Sequence, residues 1–591
     1  MVEKLWILKP SSPTVQWWFK ILILAVFLGV LIVWGIDGLD FATFHQDFVV
    51  KNLTSNPQFQ NPNFSPKIEN PNSHNHPTHQ SFNLPQIKNP NPNPNSNYRS
   101  KKTPNFVIHD QSPSEFGANY SSNLLANWLA PGGEPCKDSR TSDIRIPRID
   151  GNDGTTTMNL TAGEVHEFVF QALDDSGEPH CLGGDYFELD LSGPQWKSRP
   201  PVKDSGDGNY TFSLQVHPEF AAGYYNLTIV LLFRHYEGLK FSPPRFVVDK
   251  VLRAVRIAFV VNGGTPPPPE IRRCAKSDFD RDVWSGRWTR HAINESCVVG
   301  NDGRYRCLEP SLPCAPPWCD GPLGALESNG WVYSAHCAFN LFTVDDAWKC
   351  LRGRWIFWWG DSNHCDTIRN LLQFVLGVHV YDTIPRIFDA NITNPNDPSQ
   401  TIRFTSIFNG HFNHTQNYQG LNSLVDADYR ETLRRYFAGD VVPDAVIMNS
   451  GLHDGVYWKN VRKFIRGADF VARFWAEVVD GVRARGLKPP EVVYRTTVAT
   501  GGYARHLAFN PQKMETFNGV VLEKLRQRGI LDRVIDGFDM TFPWHFDNRC
   551  NDGVHYGRVP LKAKWRDGQI GHQYFVDVML GHVLINAVCA R

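Results

Sequence analysis

A serine and an Asp–His pair in two short motifs of this chain could together carry out acyl transfer. Ser362 ends a Gly-Asp-Ser triplet, and the second motif contains Asp552 and, three residues later, His555. A histidine can remove the proton of a serine hydroxyl, while an aspartate orients the imidazole ring and stabilises its cation. We therefore predict Ser362 as the nucleophile, His555 as the general base and Asp552 as the residue that orients the histidine.

Each of these residues also has an ordinary structural explanation when it is considered alone. Gly-Asp-Ser consists of three common residues, and a serine at this place can simply form a turn or cap a helix. His555 by itself would more readily be a surface or structural histidine. The catalytic interpretation depends on the pairing of the two motifs and on the elements that surround them.

The residues around Ser362 predict a strand, a tight turn and a helix. Residues 355–359 form a short aromatic and apolar run that is typical of a buried strand, and Gly360 ends it. Apolar residues then recur at helical spacing until Gly377, where a helix would end. This order places the hydroxyl at the carboxyl edge of a sheet, beside a helix N-terminus whose free N–H groups can stabilise an oxyanion.

Strand-like and helical patterns alternate along residues 351–591. After Ser362 the predicted strands and helical stripes are residues 445–449, 470–482, 491–497, 517–525, 533–536 and 575–584. This alternation predicts an α/β domain in which a mainly parallel sheet is covered by helices on both faces. Ligands bind such a sheet outside the carboxyl ends of its strands, where Ser362 would lie.

The N-terminal residues predict a membrane anchor followed by a stem. Residues 17–36 are almost wholly apolar, and about 20 such residues span a bilayer. Lysines precede or open this segment and aspartates follow it, which predicts a cytoplasmic stub at residues 1–16 and a retained type II anchor. A cleaved signal peptide is the alternative, but no clear small-residue cleavage site follows the apolar run. Residues 37–130 are rich in Asn, Pro and Ser and predict a disordered luminal stem.

Cysteines and glycosylation motifs agree with a luminal position for the rest of the chain. None of the 12 cysteines lies in the predicted stub or anchor, and an even number in an oxidising compartment suggests disulfides. The balance of 60 basic and 60 acidic residues does not favour a nucleic-acid partner. All Asn-x-Ser/Thr motifs follow the anchor, which predicts a glycoprotein of the secretory pathway. The candidate glycosylation sites are Asn52, Asn63, Asn119, Asn159, Asn209, Asn226, Asn294, Asn391 and Asn413.

Short alternating segments between residues 131 and 255 predict an immunoglobulin-like β-sandwich. The strand-like runs are VHEFVFQAL, YFELDLSG, NYTFSLQVH, YYNLTIVLLF and PRFVVDKV, separated by turn residues. The sequence DSGDGNYT from Asp204, followed by AGYY and SP, resembles filamin-type repeats. Such a domain could bind a glycan or a partner, or it could only separate the catalytic part from the membrane, and the second role is slightly favoured.

A cysteine-rich block at residues 256–350 precedes the predicted α/β domain. It contains a proline run at residues 265–270, which predicts a hinge. The spacing of Cys314 and Cys319 does not suit a zinc site, and an oxidising compartment favours disulfides. The block is therefore predicted to wrap and staple the domain that follows.

Together, Gly360-Asp361-Ser362 and Asp552-x-x-His555 resemble the PC-esterase branch of the SGNH (GDSL-type) hydrolase superfamily. This branch includes the trichome birefringence-like polysaccharide O-acetyltransferases and the NXPE family. The sequence LRGR from Leu351 resembles their first block, and Cys274, the run WSGRW and Cys297 resemble their cysteine-containing N-terminal block. A filamin-like domain ahead of the esterase domain is the NXPE arrangement.

The resemblance implies an SGNH-type three-layer α/β/α catalytic domain at residues 351–591, in a single-pass type II Golgi membrane protein with its catalytic domain in the lumen. It implies acetyl transfer through a serine acyl-enzyme onto a hydroxyl of a glycan or polysaccharide, with no metal and no bound cofactor. The acetyl donor is left open. The alternatives are a glycan O-acetyl esterase of the same fold and a catalytically inactive membrane glycoprotein that binds a glycan or a partner.

The resemblance also suggests donors for the oxyanion. VIMNSG at residues 446–451 resembles a strand-plus-Asn block, in which the Asn449 amide would help to bind the oxyanion. In the superfamily's GxND register the same region has His453 where Asn is expected, so the first register suits the sequence better. Gly410 could donate a backbone N–H, although a turn would explain this glycine too. Cys365 and its neighbours depart from the plant relatives, which leaves the acceptor open; as a rival nucleophile Cys365 is not favoured, since a disulfide or a buried thiol explains it.

Overall fold

The computed structural model of the chain describes residues 120–130, 136, 138–150, 157–262, 271–291, 330–410, 419–546, 553–557 and 574–590, and the backbone of 298–299 and 305–306. The predicted stub and anchor and most of the predicted stem lie outside these residues, as do Asn52, Asn63, Asn119, Asn294 and Asn413. Among the helices that are described, none is long and apolar enough to cross a membrane. The anchor therefore stays a prediction.

Two β-sheets with a shared apolar core form the first part of the described chain. Its helices and strands are α1 (Tyr120–Trp128), β1 (Asp143–Arg145), α2 (Pro147–Asp150), β2 (Thr157–Thr161), β3 (His166–Leu173), β4 (Tyr186–Ser192), β5 (Trp196–Ser198), β6 (Lys203–Asp204), β7 (Asn209–Leu214), β8 (Tyr224–Phe233) and β9 (Lys250–Val260). One sheet has the order β1-β3-β7-β6, and β5, β4, β8, β9 and β2 are successive neighbours in the other. The ring centroids of Phe170 in the first sheet and Phe187 in the second lie 5.0 Å apart, so the two sheets pack as a sandwich.

The last predicted strand of this sandwich, PRFVVDKV, is wrong in its position. Its first residues form a 3-10 helix at Pro243–Phe246, and β9 begins only at Lys250. Prolines have no N–H group to donate to a β-ladder, so the Pro243-Pro244 pair cannot start an internal strand.

The predicted disordered stem is wrong for its last part, because residues 120–128 form α1. Leu124 of this helix is buried, and the backbone N–H of Ser121 donates to Glu523 Oε2 at 3.0 Å across 402 positions of sequence. Contacts with a distant helix therefore stabilise α1, and the local composition carries no sign of them.

The larger sheet of the sandwich continues into the cysteine-rich block. That block contains β10 (Arg287–Arg290), β11 (Val298–Val299), β12 (Tyr305–Arg306) and β13 (Trp331–Ser334). Strand β5 pairs antiparallel with β10, and β10 pairs antiparallel with β13, which gives the order β13-β10-β5-β4-β8-β9-β2. The strands on the two sides of the predicted domain boundary at residue 255 therefore belong to one continuous sheet.

A separate six-stranded sheet and its helices form the C-terminal part. The elements are α3 (Val344–Leu351), β14 (Trp355–Gly360), α4 (Ser362–Asn370), β15 (Ile387–Thr393), β16 (Thr401–Phe408), α5 (Ala427–Arg435), β17 (Ala445–Met448), α6 (Leu452–Tyr457), α7 (Val461–Ala484), β18 (Glu491–Arg495), α8 (Pro511–Gln527), β19 (Arg533–Ile535), α9 (Gly537–Thr541) and α10 (Tyr574–Cys589). The strand order is β15-β16-β14-β17-β18-β19, and only β15 is antiparallel to its neighbour. The predicted mixed α/β architecture is confirmed.

Strand β14 occupies an interior position in this sheet, between β16 and β17. All of its residues are buried, as expected for a strand that is covered on both faces. The indole N–H of Trp359 donates to the Tyr429 hydroxyl at 2.9 Å, so even the polar atom of this large ring has a partner. The strand thus fixes Gly360 and the residues after it at the carboxyl edge of the sheet.

Three disulfides within the described part of the chain confirm the expectation drawn from the cysteine content. They join Cys136 to Cys181, Cys274 to Cys337 and Cys350 to Cys589. The last of them links the end of α3 to the end of α10, and so joins the first and the last helix of the α/β part. Apart from Cys365 in α4, the other cysteines lie outside the described residues.

We expect Trp475→Ala to lower the free energy of unfolding by about 3–5 kcal/mol, because a buried indole would leave a large cavity. Trp475, in α7, is fully buried against the rings of Phe357, Trp359 and Phe437. Arg483→Ala, at an exposed ion pair on the same helix, should change it by no more than about 0.5 kcal/mol. Urea unfolding followed by circular dichroism measures both, and equal effects would contradict the assigned packing of α7.

Candidate active site

Ser362 and His555 meet at the carboxyl edge of the six-stranded sheet. Ser362 Oγ lies 2.6 Å from His555 Nε2, although 193 positions separate the two residues in the sequence. This distance permits a hydrogen bond through which the imidazole can take the hydroxyl proton. Asp552 lies outside the described residues, so its role in orienting His555 stays a prediction.

Asp361 turns the chain from strand to helix in a single step. It has extended backbone angles and caps α4, because its Oδ1 accepts a hydrogen bond from the Asn363 N–H at 2.9 Å. Its carbonyl oxygen accepts from the His364 N–H at 3.0 Å. Ser362 therefore occupies the first turn of α4, where the helix dipole favours negative charge on a bound oxyanion.

Gly360 is required by the close approach of a side chain. A Cβ atom at this position would lie 2.1 Å from Nδ1 of His364, which is fully buried in α4. The imidazole packs edge-on against Trp358 with ring centroids 5.5 Å apart. Burial, together with the charge of Arg495, lowers the pKa of His364 well below its ordinary value, so this ring is neutral and serves packing.

We expect Gly360→Ala to push the His364 ring and the start of α4 away from β14. The free energy of unfolding should fall by about 1–3 kcal/mol, and labelling of Ser362 by a fluorophosphonate should slow about tenfold or more. Gly481→Ala is the matched control, because it lies inside α7 with nothing within 4 Å of an added Cβ. Wild-type labelling by the Gly360→Ala protein would refute the role assigned to this glycine.

Hydrogen bonds to backbone carbonyls on both sides of His555 hold this residue in place. On one side, the Gly501 N–H donates to the Gly553 carbonyl at 2.6 Å. On the other, Asn370 Nδ2 donates to the Gly557 carbonyl at 3.0 Å. The hydroxyl of Tyr556, directly after the histidine, adds a bond of 2.8 Å to the carbonyl of Ala499. These bonds connect the histidine to α4 and to the loop after β18.

A buried polar network lies beside the helix that carries the nucleophile. Thr367 Oγ1 lies 2.6 Å from Asp577 Oδ1 in α10, and Arg495 Nη1, at the end of β18, donates to Thr367 Oγ1 at 3.1 Å. Asn370 Nδ2 donates to the other Asp577 oxygen at 2.5 Å. Burial raises the pKa of Asp577, and the charge of Arg495 opposes this effect. The network ties α4, α10 and β18 together next to the site.

The two predicted oxyanion donors take different positions relative to Ser362. In the parallel ladder Gly360 pairs with Phe408, so Ser362 and Gly410 each come two residues after the last paired residue of their strand. Asn449 lies lower: its Nδ2 donates to the carbonyl of Arg495 at 3.0 Å and to Thr497 Oγ1 at 3.2 Å. Both hydrogens of this amide are thus directed to the β18 side. The oxyanion role of Asn449 stays a prediction and would require one of these bonds to be exchanged.

In the alternative GxND register the residue of interest is His453, in α6. It interacts electrostatically with Asp361 of the Gly-Asp-Ser motif and with His555. Its ring centroid lies 5.3 Å from that of Phe408, and burial lowers its pKa to about 4, against the opposing charge of nearby Asp361. The imidazole is therefore neutral near pH 7 and one of its nitrogens carries hydrogen. Strand β17 ends at Met448, which pairs with Trp359 of β14. Ser362 comes three residues after Trp359, so its counterparts along the chain are the residues that follow Asn449. The sequence alone did not show where β17 ends.

Asp454, next to His453, is a buried carboxyl with three donors around it. Its Oδ1 accepts from the Leu421 N–H and from Trp458 Nε1, both at 2.8 Å, and its Oδ2 contacts the Ser450 hydroxyl. Burial nevertheless raises its pKa to about 7. The carboxyl joins α6 to β17 and to the segment before α5 rather than facing Ser362.

Because of this raised pKa, we expect the stability of the protein to depend on the protonation of Asp454. Between about pH 4 and about pH 7 the unfolded chain releases this proton while the folded chain keeps it, so the free energy of unfolding falls as the pH rises. Asp454→Asn should reduce that fall by a few kcal/mol at most, since each pKa unit corresponds to about 1.4 kcal/mol. Urea unfolding from pH 4.5 to 8, with Asp428→Asn at an exposed site as the control, measures the difference; parallel curves for all three proteins would contradict the expectation.

Comparisons with known proteins gave matches among solved structures. The sequence matches no protein-family model and no curated protein. Among solved structures, an acetylxylan esterase, Axe2 from Geobacillus stearothermophilus, is 13% identical, with a TM-score of 0.24 over 41% of this chain and 96% of its own. The Lin-41 filamin domain is 11% identical, with a TM-score of 0.13 over 20% of this chain and 97% of its own. Domains 4 and 5 of the S-layer protein SbsC are 16% identical, with a TM-score of 0.14 over 21% of this chain. This match spans 54% of the length of the SbsC domains, about half. These values establish no family for the chain.

Proposed function

We propose that the chain is a serine-dependent O-acetyltransferase of the SGNH type, similar to the PC-esterase branch, that acetylates a hydroxyl of a glycan or polysaccharide. The observation that supports the proposal is the distance of 2.6 Å between Ser362 Oγ and His555 Nε2 at the carboxyl edge of a parallel sheet. The predicted anchor at residues 17–36 would hold this site on the luminal side of a Golgi membrane.

In the first half-reaction Ser362 takes the acetyl group from its donor. His555 Nε2 accepts the hydroxyl proton while Ser362 Oγ attacks the acetyl carbonyl and forms a tetrahedral intermediate. The oxyanion is stabilised at the N-terminus of α4 by the Ser362 N–H, with Gly410 as a second backbone donor. When the intermediate collapses, the bond to the leaving group breaks, and that group receives the proton from His555.

In the second half-reaction the acetyl group moves from Ser362 to the sugar. A sugar hydroxyl gives its proton to His555 and attacks the acetyl-serine carbonyl, and the new intermediate expels Ser362 Oγ, which recovers the proton. Water in place of the sugar would complete an esterase cycle with the same residues. Transfer therefore requires that the acceptor be bound and positioned better than water.

We expect Ser362→Ala and His555→Ala each to lower acetyl transfer about a thousandfold, because both residues act in the same bond-making step. The assay incubates the protein with an acetyl ester or thioester and a panel of oligosaccharides, and mass spectrometry detects acetylated sugar. Cys365→Ser is the matched control: it changes a cysteine one turn after the nucleophile and should retain activity within about twofold.

Three outcomes would replace the proposal by one of its alternatives or revise its residues. Serine-dependent consumption of the donor without acetylated sugar would indicate a glycan O-acetyl esterase. If neither the wild-type protein nor its variants consume the acetyl donor, but a glycan or protein still binds, the result would indicate an inactive binding glycoprotein. A loss of activity in Cys365→Ser with activity kept in Ser362→Ala would transfer the nucleophile to the cysteine.

A further inference from the structure

A buried charge cluster joins the β-sandwich to the loop after β18. It consists of two carboxylates from the sandwich, Glu188 and Asp249, and three cationic or titratable side chains from the α/β part, Arg505, His506 and His545. Arg505 Nε donates to Glu188 Oε2 at 3.0 Å, and its Nη2 donates to Asp249 Oδ1 at 2.8 Å. His545 Nε2 lies 2.9 Å from Glu188 Oε1, and His506 Nε2 lies 2.6 Å from Asp249 Oδ2.

The burial of Glu188 is caused by the α/β part and not by the sandwich core. In β4 the alternate residues Phe187, Leu189 and Leu191 face that core, so Glu188 is on the opposite face of the sheet. On an isolated sandwich this face would be open to water, yet Glu188 is 0% exposed. Tyr186, on the same face, donates to Glu515 in α8 at 3.0 Å.

The carboxylate of Glu188 is ionised in spite of its burial. Burial alone would raise the pKa of this group, but the charges and hydrogen bonds of His545 and Arg505 together lower it to about 2. Arg505 is only 8% exposed, so its guanidinium depends on Glu188 and Asp249 for its counter-charge. A buried cation that loses such a partner must move towards water or be neutralised by other groups.

The charge cluster is connected to the catalytic histidine by a short series of backbone contacts. Arg505 lies in the 3-10 helix Gly502–His506, and the N–H of its first residue donates to the His545 carbonyl at 2.7 Å. The preceding residue, Gly501, donates to the carbonyl of Gly553, two residues before His555. This contact is tight, because a Cβ on Gly553 would lie 2.6 Å from the Gly501 carbonyl oxygen.

We propose that Glu188 is a positioning residue for His555. Its carboxylate holds Arg505 and His545 in place, and these two residues set the position of the loop on which residues 553–557 rest. The β-sandwich is then a structural part of the active site and not a spacer. This inference rests on the proposed function of the Ser362–His555 pair.

The test is to remove the charge of Glu188 with little change of shape and to measure the reactivity of Ser362. We expect Glu188→Gln, in the full-length protein, to slow fluorophosphonate labelling of Ser362 and to lower kcat about 10- to 100-fold, with KM for an acetyl ester within about twofold. Glu188→Asp should restore part of the rate, and Glu167→Gln, at an exposed carboxylate of the same sandwich, should match the wild type. Ser362→Ala and His555→Ala are measured beside them.

The outcomes separate this inference from the proposed function. If Ser362→Ala and His555→Ala abolish labelling while folded Glu188→Gln labels at the wild-type rate, the positioning role is overturned and the proposed function stands. If His555→Ala labels normally, the proposed function itself fails. A lower melting temperature with unchanged labelling of the folded protein would also overturn the inference. If Glu188→Gln does not fold, labelling of Ser362 is measured in Asp249→Asn, which changes the more exposed carboxylate of the cluster. Slower labelling supports the role of the cluster, and an unchanged rate rejects it.

Discussion

The contact between Ser362 and His555 constrains the whole C-terminal part of the chain. A hydroxyl and an imidazole exchange a proton only when their heavy atoms are within about 3.2 Å, and here 193 sequence positions separate two residues that lie 2.6 Å apart. No single element can hold both. Strand β14 and the capped first turn of α4 hold the serine, whereas hydrogen bonds from the Gly501 N–H and the Asn370 side-chain amide hold the two ends of residues 553–557. Precision at the site therefore depends on four separate segments being packed at once.

Polar groups are buried around this contact in spite of the free-energy cost of removing them from water. The cost is offset where partners are close: Asp577 receives hydrogen bonds from α4 and faces Arg495, and the pair connects three elements. Elsewhere the group becomes neutral instead, as Asp454 does below about pH 7 and as His364 does near neutral pH. Neutralisation explains why His364 can pack against Trp358 and why Gly360 must lack a side chain. The site thus combines paired charges with groups whose pKa is shifted by burial.

Much of the fold could be predicted, because β14, β17, β18, α7 and α8 have strong apolar patterns of strand or helical period. The hairpin of β15 and β16 could not be predicted, because polar residues interrupt its apolar pattern. The pairing of β16 with β14 is a long-range contact that local sequence does not encode. The motifs predicted the meeting of Ser362 and His555, but the positions of Asn449 and His453 depend on where β17 ends, which the sequence did not show. Glu188 was missed because an acidic residue in an alternating strand is typical of a solvent face, and only the covering α/β part makes it buried.

The two roles considered for the sandwich, a spacer and a binding domain, both treat it as separable, and the structure argues against that separation. Strand β5 pairs with β10, Arg199 beside β5 binds both carboxylate oxygens of Glu515 at 2.7 Å, and Arg505 bridges to Glu188 and Asp249. The proline run predicted as a hinge lies outside the described residues. A separation of the two parts would break this ladder and leave buried charges unpaired, which is strongly unfavourable. The face of the sandwich sheet that carries Glu188 is consequently occupied by the α/β part. Any glycan or partner that the sandwich binds must use a different surface.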